Sequence, residues 1–455
     1  MSFHLSTWLQ ALRPIKRVVL VINLLVLELI TLIVVVVAHD PSRAEGEAPF
    51  LIKDINTDTS GSVPSHLIVM NGVVYFAASD PQNGMELWRS DGTPEGTVLV
   101  KDITPGPEST FAPDAPNGAT LAGDDFFFFF VNNYQANSTE LWRSDGTVSG
   151  TVLIKGGFMS SLYYLPDSVT MVNGTLFFNA DDGAYGVELW KSDGTFTGTV
   201  MVKDIVSGAA GSYPVGLADI VGTLYFQADD GLSGWGLWQS NGTLTGTVLV
   251  KGGFPRLFAE GRPVGLLTEA GGGQFFFVAE DSTNGVELWH SDGTFTGTVM
   301  VKDIYEGLFS SIPYGLTFFN NKLIFAAFDG VNGYELWQSD GTLTGTVLLK
   351  GIWPGPPSGF PSDFTILNDT LLFVATDDVH GSELWRSDGT FDGTVLVADI
   401  HPGPLGAFPA YLTNVGAGQV AFRAYDGLLG NELWQSDGTL TGTRLVKDID
   451  PGGIG

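Results

Sequence analysis

The chain has no cysteine, which excludes a disulfide framework, a thiolate metal site and a thiol nucleophile. Cations are scarce as well. Only 21 Lys and Arg face 50 Asp and Glu, and beyond residue 44 the balance falls to 17 against 48, or −31. A surface of that sign repels nucleic-acid phosphates and anionic headgroups, so no nucleic-acid partner is expected, whereas cations and neutral partners suit it. Histidine numbers six, two of them in the first 44 residues. That scatter concentrates no set of bases or metal ligands. Helical periodicity of apolar residues is absent from residue 50 onward, so almost no helix is expected there.

What is present begins with one long apolar run, residues 18–38, "VVLVINLLVLELITLIVVVVA", whose only charge is Glu28. As a helix it would cover roughly 30 Å, one hydrocarbon thickness. Arg13, Lys16 and Arg17 before it leave residues 1–17 on the cytoplasmic side. Two readings stay open: a retained transmembrane helix, or a long signal peptide cut after Ala38 or Ala44. Both pass through a linker at 39–49 and put residues 50–455 outside the cytoplasm, at the cell membrane or secreted.

The remainder repeats. "ELWRSDGTPEGTVLVKDI" at 86–103 returns with its tryptophan at Trp88, Trp142, Trp190, Trp238, Trp289, Trp337, Trp385 and Trp434, a spacing of 48 to 54 residues. Each unit reads as four short strands, a to d. A proline precedes apolar strand a, which ends near Asn-Gly. An aromatic and β-branched strand b follows, then "ELW" as strand c, the Ser-Asp-Gly-Thr turn, and "GTVLVKDI" as strand d. A lone four-stranded sheet has too little core, and sheets packed face to face around an axis supply one. The expected fold is therefore all-β, an eight-bladed β-propeller of about 48-residue four-stranded blades.

Two irregularities refine this. Strand d occurs nine times, because "FLIKDI" at 50–55 precedes the first unit while "TRLVKDI" at 443–449 ends the last. Local hairpin formation has the smaller closure cost, so 443–449 is expected in the last blade and 50–55 outside it as a fifth strand. A two-blade period is also visible. Phe196, Phe295 and Phe391 follow the turn in units three, five and seven, but Leu244, Leu343 and Leu440 in units four, six and eight.

The quoted motif resembles that of the ELWxxDGT repeat family of bacterial surface and secreted proteins, over residues 50–455. Only "GLWQSNGT" at 236–243 departs from its core. The resemblance implies a propeller-like extracytoplasmic protein and supplies no catalytic residues.

Repetition separates scaffold from chemistry. Ser-Asp-Gly-Thr is a turn, with Gly accepting positive φ. The Lys101-Asp102 pair and its copies put charge on an outer edge, where it discourages sheet-to-sheet aggregation. A second repeated acid, Asp80, Asp182, Asp230, Asp281, Asp329, Asp377 and Asp426, is an Asx-turn stabiliser or a ring of calcium ligands. Specific binding is expected where the copies differ, in the aromatic d–a loops. The candidates are Tyr163, Tyr164, Phe254, Arg256, Phe258, Arg262, Trp353 and Phe360. The expected role is a binding or surface-display module for a glycan or envelope protein. The alternatives are a propeller glycosidase or lyase and a calcium-bridged structural surface component, and an enzyme is the weaker expectation because no blade gathers unique acids or a nucleophile.

Overall fold

The computed structural model describes residues 51–57, 61–110, 120–122 (backbone only), 125–133, 136–159, 168–255 and 267–449. The segment 18–38 lies outside the described residues. Eight antiparallel sheets follow one another along the chain, each with its four strands in sequence order a-b-c-d. Blade one shows the pattern: Ser65–Met70, Val73–Asp80, Gly84–Ser90 and Val98–Lys101. Among the described residues there is no helix. The chain is an all-β, eight-bladed propeller, as the repeat arithmetic required.

Register fixes what each blade buries. In every blade a phenylalanine of strand b pairs with the motif tryptophan, as in Phe76↔Trp88, Phe178↔Trp190 and Phe373↔Trp385. Side chains alternate across a strand, so one set faces the preceding blade and the other the next. Between blades three and four, for example, Phe177, Leu189 and Val202 of the first meet Leu224, Phe226, Ala228 and Trp238 of the second. Burying a side chain such as Phe226, fully enclosed here, contributes about 2 to 3 kcal/mol. Equivalent clusters join every consecutive pair from one to eight.

The lysine of strand d has a part in this packing. Lys101 lies over Trp142 of the next blade, 5.6 Å from its centroid, and donates to the Thr151 carbonyl at 2.7 Å. Lys203 and Lys302 repeat both contacts on Trp238 and Trp337. The charge thus serves the blade junction, beyond the edge protection expected from sequence. The two-blade period is visible in these contacts. Lys155, Lys251 and Lys350 of blades two, four and six lie over a further ring, Phe196, Phe295 and Phe391 of blades three, five and seven.

The expected closure is half right. Arg444–Lys447 pairs with Asn431–Ser436 and completes blade eight locally. Residues 51–57 carry no strand ladder and lie on blade one. Lys53 donates to the Thr97 carbonyl at 2.7 Å, as Lys101 does to Thr151. Ile55 packs against the cluster of Val74, Phe76, Ala78 and Trp88. The Ser62 carbonyl then accepts from Ser79 N–H, as Ser212 does from Asp229 in blade four. The segment therefore follows the course of an outer strand preceding blade one, because its sequence copies one. The outward face of blade eight forms a separate cluster, Ala421 and Leu433 with Val415, Val446 and Ile449. Its Ala421 stands where the other blades carry Tyr75, Phe128, Phe177, Tyr225, Phe276, Ile324 and Leu372.

The strand order gives the propeller two distinct faces. The a–b and c–d turns lie on one, here termed the turn face, and the b–c turns and d–a loops on the other, the loop face. On the turn face each c–d turn carries one apolar residue into solvent. Val148, Phe196, Leu244, Phe295, Leu343, Phe391 and Leu440 are 60 to 68% exposed, and Pro94 takes this place in blade one.

Candidate functional site

The loop face is held by a residue that the sequence reading left without a role, the glutamate of "ELW". Glu86, Glu188, Glu287, Glu335 and Glu383 are fully buried. Each carboxylate accepts from backbone amides that open the following d–a loop. Glu287 takes Ile304 N–H at 3.1 Å and Ser311 N–H at 3.0 Å, and the Ser311 hydroxyl as well. Glu335 takes Ile352, Trp353 and Gly359. Burial pushes all five carboxyls up to about 7, against the lowering effect of these hydrogen bonds. The aspartate of the outer strand lies beside this clamp and raises it further in blades one, three and seven. In Asp102, Asp204, Asp303, Asp399 and Asp448 one carboxylate oxygen is buried without a hydrogen bond.

Blades two and four lack the clamp. Glu140 turns instead to Asn133 and the Trp142 indole, and Gly236 replaces the glutamate in blade four. There strand d runs on, to Val152–Met159 and Val248–Phe254, against four residues elsewhere, such as Val299–Lys302. One sequence candidate is thereby corrected. Phe254 is not on an open loop: it is 5% exposed and meets Trp289 edge to face at 5.0 Å, because the extended strand carries it into the junction of blades four and five. Tyr163, Tyr164, Arg256, Phe258 and Arg262 lie outside the described residues.

The clamped loops around blade six carry a connected run of aromatic rings. Phe309 stacks on Tyr305 at 4.7 Å and 15°, and Tyr305 meets Phe328 at 5.3 Å. Phe328 meets Tyr334 at 5.4 Å, and Tyr334 stacks on Phe360 at 5.8 Å and 25°. Tyr314 closes on Tyr334 from strand a at 5.6 Å. Tyr305 and Phe309 come from one d–a loop and Phe360 from the next, while Phe328 and Tyr334 flank the b–c hairpin between them. Phe309 is 60% and Phe360 54% exposed, with Leu308 and Val331 exposed beside them. Trp353 is half-buried, its amide held by Glu335.

Backbone geometry turns Phe360 outward. It precedes Pro361 and adopts φ +45°, with its N–H on the Tyr334 carbonyl at 3.1 Å. Phe408 has the same conformation and the same kind of bond, to Ser382. A left-handed conformation is costly for an aromatic residue, so the loop must hold it there. Of the rings, only Phe360 was among the sequence candidates. A signal for the rest existed in the repeat alignment, since Phe328 stands where blades three and four have Asp181 and Asp229.

The seven repeated aspartates are occupied by their own turns. Asp80 accepts from the amides of Gln82 and Asn83, Asp230 from Leu232, Ser233 and Gly234, and Asp281 from Thr283 and Asn284. Asp182, Asp329, Asp377 and Asp426 do the same. Among the described residues no three Asp, Glu or His side chains converge as a metal cage would need.

Neither a family model nor a curated protein matches the chain. Solved structures match in fold. The β-propeller domain of the Trilobed protease from Pyrococcus furiosus is 9% identical, over 71% of this chain and 95% of that one, with a TM-score of 0.34. Prolyl oligopeptidase B from Galerina marginata is 11% identical over 84% of this chain and 50% of its own length, with a TM-score of 0.39. A puromycin hydrolase is 13% identical over 81%, with a TM-score of 0.36, and this chain spans 60% of it.

Proposed function

We propose that the chain is an extracytoplasmic binding module, anchored through residues 18–38 or secreted, whose loop face takes a neutral glycan displayed on the cell envelope. The observation that carries this reading is the aromatic run Phe309, Tyr305, Phe328, Tyr334 and Phe360. Flat rings on loops pinned from beneath form a preorganised stacking surface, and preorganisation lowers the entropic cost of binding. The excess of acid supports a neutral partner over an anionic one. Trp353, on the same d–a loop as Phe360, would extend the same surface.

The test is a glycan array followed by calorimetry on the full chain and on Phe309→Ala and Phe360→Ala variants, with and without calcium. Saturable binding is expected, weakened about tenfold or more in each variant with the melting temperature unchanged. Binding that ignores both substitutions, or turnover of a bound glycan, would refute the reading.

A further inference from the structure

The course of residues 51–57 and the apolar tips of the turn face point to one surface. Strand d of every blade runs from the turn face to the loop face, and the N-terminal segment copies that direction. Lys53 sits at Thr97, beside the Ser-Asp-Gly-Thr turn of blade one, and Ser62 ends at the loop-face end of strand b, on Ser79. The chain therefore stands at the turn face when it reaches Leu51, which is 50% exposed. Residues 39–50 separate it from the apolar run 18–38, a span of at most ~40 Å when fully extended. On that same face every blade presents one exposed tip, a Val, Phe or Leu in blades two to eight and Pro94 in blade one.

We propose that the turn face rests on the outer leaflet of the membrane that holds residues 18–38, with its apolar tips in the headgroup boundary and the loop face directed away. This rests on the anchored form of the reading above. A ring of single side chains, each a blade width from the next, suits a flat and chemically uniform surface and is too dispersed for one small ligand. Phe and Leu are residues that enter an interface. The turn aspartates set the lipid class. Asp193, Asp292 and Asp388 are held below the usual carboxylate range by hydrogen bonds from Thr195, Thr294 and Thr390, so they stay ionised beside the tips and disfavour an anionic leaflet. A zwitterionic surface fits.

The absence of cysteine makes the test direct. Single variants Leu343→Cys and Leu244→Cys on the turn face and Leu428→Cys on the loop face, each in the full chain, carry an environment-sensitive fluorophore. The protein is reconstituted into phosphatidylcholine vesicles. The expected result is a blue shift and loss of emission to a lipid-phase quencher at 343 and 244, with neither at 428. If the chain floats with the vesicles while all three labels report water, the resting surface is wrong and the anchor stands. A chain that does not float overturns the anchored reading and this proposal together. A shift at 343 that appears without vesicles and grows with protein concentration would assign the ring to a second copy and overturn the proposal.

Discussion

Blades four and five have nearly the same strands and differently built loops. In blade five a buried carboxylate gathers the amides of Ile304, Tyr305 and Ser311, strand d stops after Lys302, and the next loop is folded back onto the sheet. In blade four Gly236 leaves nothing to gather them, and strand d continues to Phe254, which is spent on the core. A glutamate that reaches these amides goes with a shaped loop; where it is missing, as at Gly236, or turned to other partners, as Glu140 is to Asn133 and Trp142, the material after the outer strand extends the sheet. The glutamate lies on strand c, far along the sequence from the loop it holds.

Removing the clamp should break this contrast most severely. Glu287→Ala leaves several buried donors without an acceptor and is expected to destabilise the loop by about 3 kcal/mol or more. Hydrogen exchange should show amides 304–311 losing protection while those of blade three keep theirs. The reverse change should not create a clamp. In Gly236→Glu the new Cβ would sit 2.8 Å from the Lys251 carbonyl oxygen and 2.4 Å from Leu249 Cδ1, so a loss of about 1 to 3 kcal/mol is expected from overpacking, read as a lower melting temperature.

Next in size is a pH effect that belongs to the clamped blades alone. The five glutamates hold their proton more tightly in the folded protein, up to about 7, than an ordinary glutamate at 4.5. Their contribution is complete below that lower value and is lost as pH rises through about 7. The turn aspartates work in the opposite sense, since their depressed values favour folding above 3.8 and that contribution is lost in stronger acid. Melting temperature should therefore be highest in the mildly acidic range and fall toward pH 8. Glu287→Gln should lower that slope, and a slope unaltered by it would place the titration elsewhere. The smallest effect concerns the lysine contacts. Phe295→Ala, which takes a ring from Lys251, should cost about 0.5 to 1 kcal/mol, whereas Leu343→Ala, which takes no ring from a lysine, should be near neutral.

The blades, their number and their strand order were legible because repetition multiplies weak turn and strand signals eightfold. The Phe and Leu alternation was legible as a pattern, but the lysine that each phenylalanine meets was not, since it lies 41 to 44 residues earlier in the chain. The glutamate clamp was hidden for a different reason. In sequence it reads as one more conserved-looking polar residue at a strand start, and only the fold brings it to amides 17 to 24 residues away. The aromatic run was hidden because its members come from two loops and a hairpin. Phe254 reads as a d–a loop residue in sequence because Gly252 and Gly253 precede it, yet strand d continues through both.

The segment 51–57 has a mechanical consequence. It lies along blade one in the direction of a strand, tied by Lys53 near the turn face and by Ser62 near the loop face. A pull on the chain ahead of Leu51 from the turn-face side loads these contacts together along their length, as shear, and does not peel them open singly. The propeller is thus attached to whatever precedes it by the geometry that best resists being drawn away.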